Sequence, residues 1–155
     1  MKKIIGLCFV ILFSTLYTFG QNPEEIAIFQ NFFGLEKKAI VKKIMKLEKQ
    51  QADSFWPLYN EYEEQRKNIG KRHIELIDDY AKNYFDLSDD KVDEMFKRYV
   101  KIDKDFNKLV IKYHSKVKKS VNTKIAAQFF QLENYFADLV NVQIAAEIPS
   151  IGELK

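Results

Sequence analysis

Cysteine is nearly absent from this sequence: Cys8 is its one thiol, and it lies inside the first apolar run. A single thiol closes no disulfide within the chain, so packing has to stabilise the fold. Histidine is as scarce. His73 and His114 stand far apart, and neither has a second histidine at helical spacing. Zinc is held by His, Cys and carboxylate ligands at short spacings, so no metal site is expected. Glycine occurs 5 times in 155 residues, with no phosphate-cradling loop and no Gly-x-Ser-x-Gly turn. The adjacent carboxylates Glu63-Glu64, Asp78-Asp79 and Asp89-Asp90 do not face each other on a helix. No catalytic residues and no cofactor are expected, and the chain reads as not an enzyme. An excess of one charge is missing as well, since the net charge is +3. Setting aside the first twenty residues leaves 23 basic against 22 acidic residues. That balance argues against a nucleic-acid partner, which calls for a basic excess.

What is present begins at the N-terminus. Met1-Lys2-Lys3 is basic, Ile4 to Phe13 is apolar, and Thr18-Phe19-Gly20 precedes polar Gln21-Asn22-Pro23. This is the layout of a secretory signal peptide over residues 1–20. The run is too short to span a bilayer, which takes about 20 apolar residues. Cleavage after Gly20 would give a periplasmic protein with no stable membrane insertion. Leu7 stands where a lipid-modified Cys8 would need a small residue before it.

The remainder has no strand pattern. Apolar residues recur at threes and fours, the helical period. Residues 21–34 form an N-terminal extension, either a short helix ending at Gly34 or the start of the next. The helical domain spans 35–148 and a tail spans 149–155. Segment one runs from Leu35 to Met45, with Ile40, Val41 and Ile44 as a narrow apolar face ringed by Lys37, Lys38, Lys42 and Lys43. Segment two runs from Glu48 to Tyr84, on a face of Phe55, Leu58, Tyr59, Tyr62, Ile69, Ile77, Tyr80 and Tyr84. Pro57 removes one backbone bond from it, and a kink is expected there. Ser88, before Asp89 and Asp90, caps segment three, which runs to Lys118. Its stripe includes Val92, Met95, Phe96, Tyr99, Ile102, Phe106, Leu109, Val110, Tyr113 and Val117. Segment four starts at Asn122 or Thr123, carries Ile125, Phe129, Phe130, Leu132, Phe136 and Leu139, and stops before Pro149. Helices this long in a short chain imply an elongated shape that leaves apolar surface open, which favours a homodimer.

Two features suggest a binding surface. Lys97, Lys101, Lys104, Lys108, Lys112 and Lys116 form one basic ridge on segment three, away from its apolar stripe. Such a ridge is either a solvated face or a wall that draws in anionic or unfolded partners. Among the aromatics, Trp56 is the expected exposed anchor, because adjacent Phe55 points about 100° away on a helix and takes the core position.

Several stretches resemble the small exported helical proteins of the Spy/CpxP type, which carry two Leu-Thr-x-x-Gln motifs. Leu47-Glu48-Lys49-Gln50-Gln51 keeps Leu47 and Gln51 but has Glu48 in place of the capping Thr. Val121-Asn122-Thr123-Lys124-Ile125 keeps only an apolar residue followed by a capping one, with Ile125 in place of Gln. Phe55-Trp56-Pro57-Leu58-Tyr59-Asn60-Glu61-Tyr62 is similar to a Phe-Trp-Pro-x-Tyr-x-x-Tyr block of one subgroup. Its second block is matched by Ala126-Ala127-Gln128-Phe129-Phe130-Gln131-Leu132-Glu133-Asn134, and its ending by Ala145-Ala146-Glu147-Ile148-Pro149. Order and spacing fit from about Lys37 to Ile151. The resemblance implies an all-α fold, an elongated antiparallel hairpin or cradle of about four helices. It also implies an ATP-independent holding chaperone or envelope-stress protein whose partners are unfolded or envelope proteins. The alternative is an exported sensor or regulator acting through a protein partner, since some members are labelled sensors of ECF-type sigma factors.

Overall fold

The computed structural model describes residues 23–153, with side chains from Gly34 onward. The signal segment expected at 1–20 lies outside these residues, as do the side chains of Ile26 to Phe33. The described chain is helical, with four α-helices: α1 (Pro23–Met45), α2 (Lys49–Asn83), α3 (Asp89–Ser120) and α4 (Thr123–Glu147). A single 3-10 turn, Tyr84–Asp86, closes the α2–α3 hairpin. None of these helices is long and apolar enough to cross a membrane.

Local sequence explains most boundaries. The Ser88 hydroxyl accepts from the Lys91 N–H at 3.3 Å, and Asp89 and Asp90 follow at the positive end of α3. Asn122, rather than Thr123, caps α4, accepting from the Ile125 N–H at 2.8 Å. At the start of α2 the backbone N–H of Glu48 donates to Gln51 Oε1 at 3.1 Å. Gln51 reaches back to cap from the third position, so the loss of Thr at residue 48 does not leave that end unsatisfied. α2 is continuous through Pro57, which sits on the exposed side of the helix.

At α1 the structure decides between the two readings of residues 21–34 and corrects the apolar face. No break separates 34 from 35: one helix runs from Pro23 to Met45, so the stretch is the start of the next helix. Gly34 lies inside it facing α2, where a Cβ would stand in ordinary contact, 3.9 Å from Glu63 Oε2. Ile44 is half exposed, and the buried residues are Lys37, Val41 and Met45. Spacing of four places these three on one stripe, so the lysine lies under the helix instead of beside it.

α2 (35 residues) and α3 (32 residues) are rods of about 50 Å lying antiparallel, and α4 returns along α3. α1 packs across α2 and α4. The main core lies where all four helices meet, around Phe55, Tyr59, Tyr62, Tyr113, Phe129 and Val41. A smaller cluster of Leu76, Met95 and Ile102 holds the hairpin toward its tip. There the Tyr80 and Tyr84 hydroxyls donate to the carbonyls of Pro149 and Ser150, each at 2.8 Å, and tie down the segment after α4.

Candidate functional site

The outer face of α3 carries the lysines where the spacing put them, opposite the buried stripe. They are not equivalent. Lys97 pairs with Asp93 at 2.6 Å on its own helix. Lys112 donates to Gln65 Oε1 at 3.1 Å, and Lys116 pairs with Glu61 at 2.9 Å, so both lean onto α2. The Lys116 hydrogen bond holds the Glu61 carboxyl below its usual range. Beneath them the Tyr113 hydroxyl is pushed up to about 12, by burial first and by Glu61 second. Lys101, Lys104 and Lys108 remain exposed and make no ion pair among the described residues. Several apolar side chains stand open near them. Phe96 is 63% exposed and Ile111 58%, and Phe130 of α4 lies edge-on to His114 of α3. Tyr135, Leu139 and Val142 form a second exposed row along α4.

Trp56 is not the open anchor expected. It is half-buried, edge-on to Phe55 at 5.1 Å and to Tyr59 at 5.6 Å, with Lys38 Nζ 5.5 Å from its ring centre. Its neighbour Phe55 points into the core as expected, but α1 leans over the adjacent face and covers the indole. The other motif residues divide between framework and rim. Phe55, Tyr59, Phe129 and Glu133 are buried, and Leu47 packs at the edge of the core. Gln51 caps α2, and Pro57 and Phe130 are exposed. The Asn134 side chain donates to the Phe130 carbonyl at 2.8 Å.

The most unusual chemistry lies beneath α1. Lys37 is 2% exposed, and its ammonium donates to Glu63 of α2 at 2.8 Å and to Glu133 of α4. The Tyr62 hydroxyl donates to the same Glu133 oxygen at 2.6 Å, and Arg66 Nε donates to Glu63 at 3.1 Å. Three rings surround the ammonium: Tyr62 at 5.3 Å, Phe136 at 5.4 Å and Tyr59 at 5.9 Å. Two cations thus meet two anions in a water-poor, aromatic-walled socket. Burial opposes charge on Glu63, yet Lys37 and then Arg66 outweigh it and hold the carboxyl below its ordinary range. Burial, followed by the field of Glu133, drives the Tyr62 hydroxyl far above its ordinary value. Among the described residues, the Tyr59 hydroxyl and Glu133 Oε1 are buried with no partner within hydrogen-bonding distance.

The periodic reading placed Lys37 among surface lysines and Glu63 in a solvated acidic pair. A signal was available. Lys37 lies four residues before Val41, Glu63 four after Tyr59, and Glu133 four after Phe129, so each charge continues a buried stripe. His73 and His114 lie on separate helices, against Tyr99 and Phe130, and burial lowers the pKa of His73. Among the described residues no group of His, Cys, Asp and Glu is arranged to hold a metal ion.

Comparison with protein-family models, with curated proteins and with solved structures finds no match to this chain. The class defined by fold and site is therefore a long-armed four-helix protein with a buried ionic socket and an open lysine and aromatic face on α3 and α4.

Proposed function

We propose that this protein is an ATP-independent holding chaperone of the bacterial envelope, binding unfolded or aggregation-prone segments on the outer face of α3 and α4. The observation that carries it is that Lys101, Lys104 and Lys108, which form no ion pair among the described residues, are exposed on the same helix as open Phe96 and Ile111. An unfolded chain offers scattered apolar side chains and mixed charge. Lysines speed its encounter by long-range attraction, and exposed rings supply short-range contact that is individually weak and reversible. A rigid rod of about 50 Å presents these contacts in a row, so a client is held at several points without a closed pocket. The envelope location rests on the signal-like residues 1–20.

The purified chain, added in several-fold molar excess, delays light scattering from an unrelated client unfolding by heat or dilution. Phe96→Ser combined with Ile111→Ser shortens the delay while leaving the helical circular dichroism unchanged. Unaltered client aggregation in the presence of the wild-type chain overturns the proposal.

A further inference from the structure

The link between α1 and α2 is at odds with its own sequence. Ile44-Met45-Lys46-Leu47-Glu48-Lys49-Gln50-Gln51-Ala52 contains no Gly, Pro, Asn or Asp. Every residue in it suits a helix interior, and none is a customary turn former. Yet the chain reverses here within Lys46-Leu47-Glu48, with Lys46 at φ 45°. That left-handed conformation is ordinarily taken by glycine, and a lysine there is strained. Local preference favours one unbroken helix; only the docking of α1 on its groove enforces the turn.

That groove is specific for α1. Its floor holds Glu63 and Glu133, two carboxylates that would be left buried without their main cation if Lys37 withdrew. Three aromatic rings further favour an ammonium at that point. Val41 and Met45 seat one and two turns away on the same stripe. An empty groove is therefore strongly disfavoured, but nothing requires Lys37 to come from the same chain.

We propose that the socket is a docking site for α1 of a second copy, so that two chains exchange α1 through residues 46–48 and form a reciprocal dimer. In the exchanged form every socket contact is kept, with the partner's Lys37 between Glu63 and Glu133. Lys46 leaves its strained conformation, and α1 and α2 join as one long helix. The Gln51 cap on the Glu48 N–H gives way to ordinary helical bonding. Short strained hinges are the common route to such exchange. The proposal stands independently of client binding, since it uses a face of the bundle that α3 does not form.

The test uses the full chain carrying Cys8→Ala. Lys38 Nζ donates to Asn60 Oδ1 at 2.7 Å across the α1–α2 seam, so cysteines at these positions lie within reach of a short bis-maleimide crosslinker and report docking. One population carries Lys38→Cys and another Asn60→Cys. They are unfolded together, refolded at high concentration and treated with the crosslinker. Exchange gives a crosslink joining position 38 of one chain to position 60 of the other, read by mass spectrometry of the digested dimer. Adding Lys46→Ala raises the mixed product, and Lys46→Gly lowers it, with about a fivefold or larger difference between the two. A chain carrying both cysteines serves as the reference for docking within one molecule. If that chain crosslinks internally while no mixed 38–60 crosslink forms at any concentration, the proposal is overturned. Equal mixed product from the Lys46→Ala and Lys46→Gly chains overturns it too, since the hinge would then have no part in dimer formation.

Discussion

Lys37 carries the largest single-residue consequence. Lys37→Met leaves Glu63 and Glu133 buried with Arg66 as the remaining cation in the socket, and removing one partner of a buried pair costs about 3–5 kcal/mol. Urea unfolding should show a loss of that size. Replacing Lys37, Glu63 and Glu133 together by apolar residues of similar volume should cost less than Lys37→Met alone, because no charge is stranded. A pH dependence follows from Glu63. Its carboxyl is harder to protonate in the folded protein than in the unfolded chain. Its stabilising contribution is therefore complete above the ordinary carboxylate pKa and fades as pH falls through the lower folded value. The urea midpoint of the wild-type chain should drop in that acid window, and Glu63→Gln should flatten this part of the curve. Lys37 and Glu63 were missed by a reading that assigns lysines and glutamates to solvent, and Glu133 was picked out only within a resemblance block, with no partner. Periodicity places a residue on a stripe, but it pairs no residues from different helices. Separations of 26 and 96 along the chain leave no local trace of the contact.

The helices themselves were legible. Their number, type and approximate limits follow from the 3.6-residue period, and the starts of α3 and α4 from capping residues whose side chains satisfy free N–H groups. Asn122→Ala should cost about 1 kcal/mol by thermal or urea unfolding, and Ser88→Ala less, because its bond is longer at 3.3 Å against 2.8 Å. The continuity of α1 through Gly34 was less legible. Glycine weakens a helix interior by only about 1 kcal/mol, a cost that the packing of α1 against α2 and α4 can offset, and sequence alone does not reveal that packing. The covering of Trp56 was hidden for a related reason. Helical phase set it beside the core, but the lean of α1 over it depends on where the buried lysine draws that helix.

Across the whole molecule, the proposed binding surface and the stabilising socket occupy different faces. The ionic socket lies inside, where α1, α2 and α4 meet, and the open lysines lie on the far side of α3. Changes on the one should leave the other intact. Lys101→Gln, Lys104→Gln and Lys108→Gln combined should slow client capture and weaken its salt dependence, with the urea midpoint shifted by less than about 0.5 kcal/mol. Stopped-flow mixing with a labelled client at two ionic strengths measures the first effect. Loss of capture speed with an unchanged salt dependence would show that long-range attraction plays no part.

The sequence has one tryptophan, and the fold sets it at the seam where α1 leans on α2, flanked by Phe55, Tyr59 and Lys38. The molecule thus carries an intrinsic optical gauge of that seam. Should α1 lift while the hairpin stays folded, indole emission would shift red ahead of any fall in far-ultraviolet ellipticity, and the gap between the two curves would measure local opening without a foreign label.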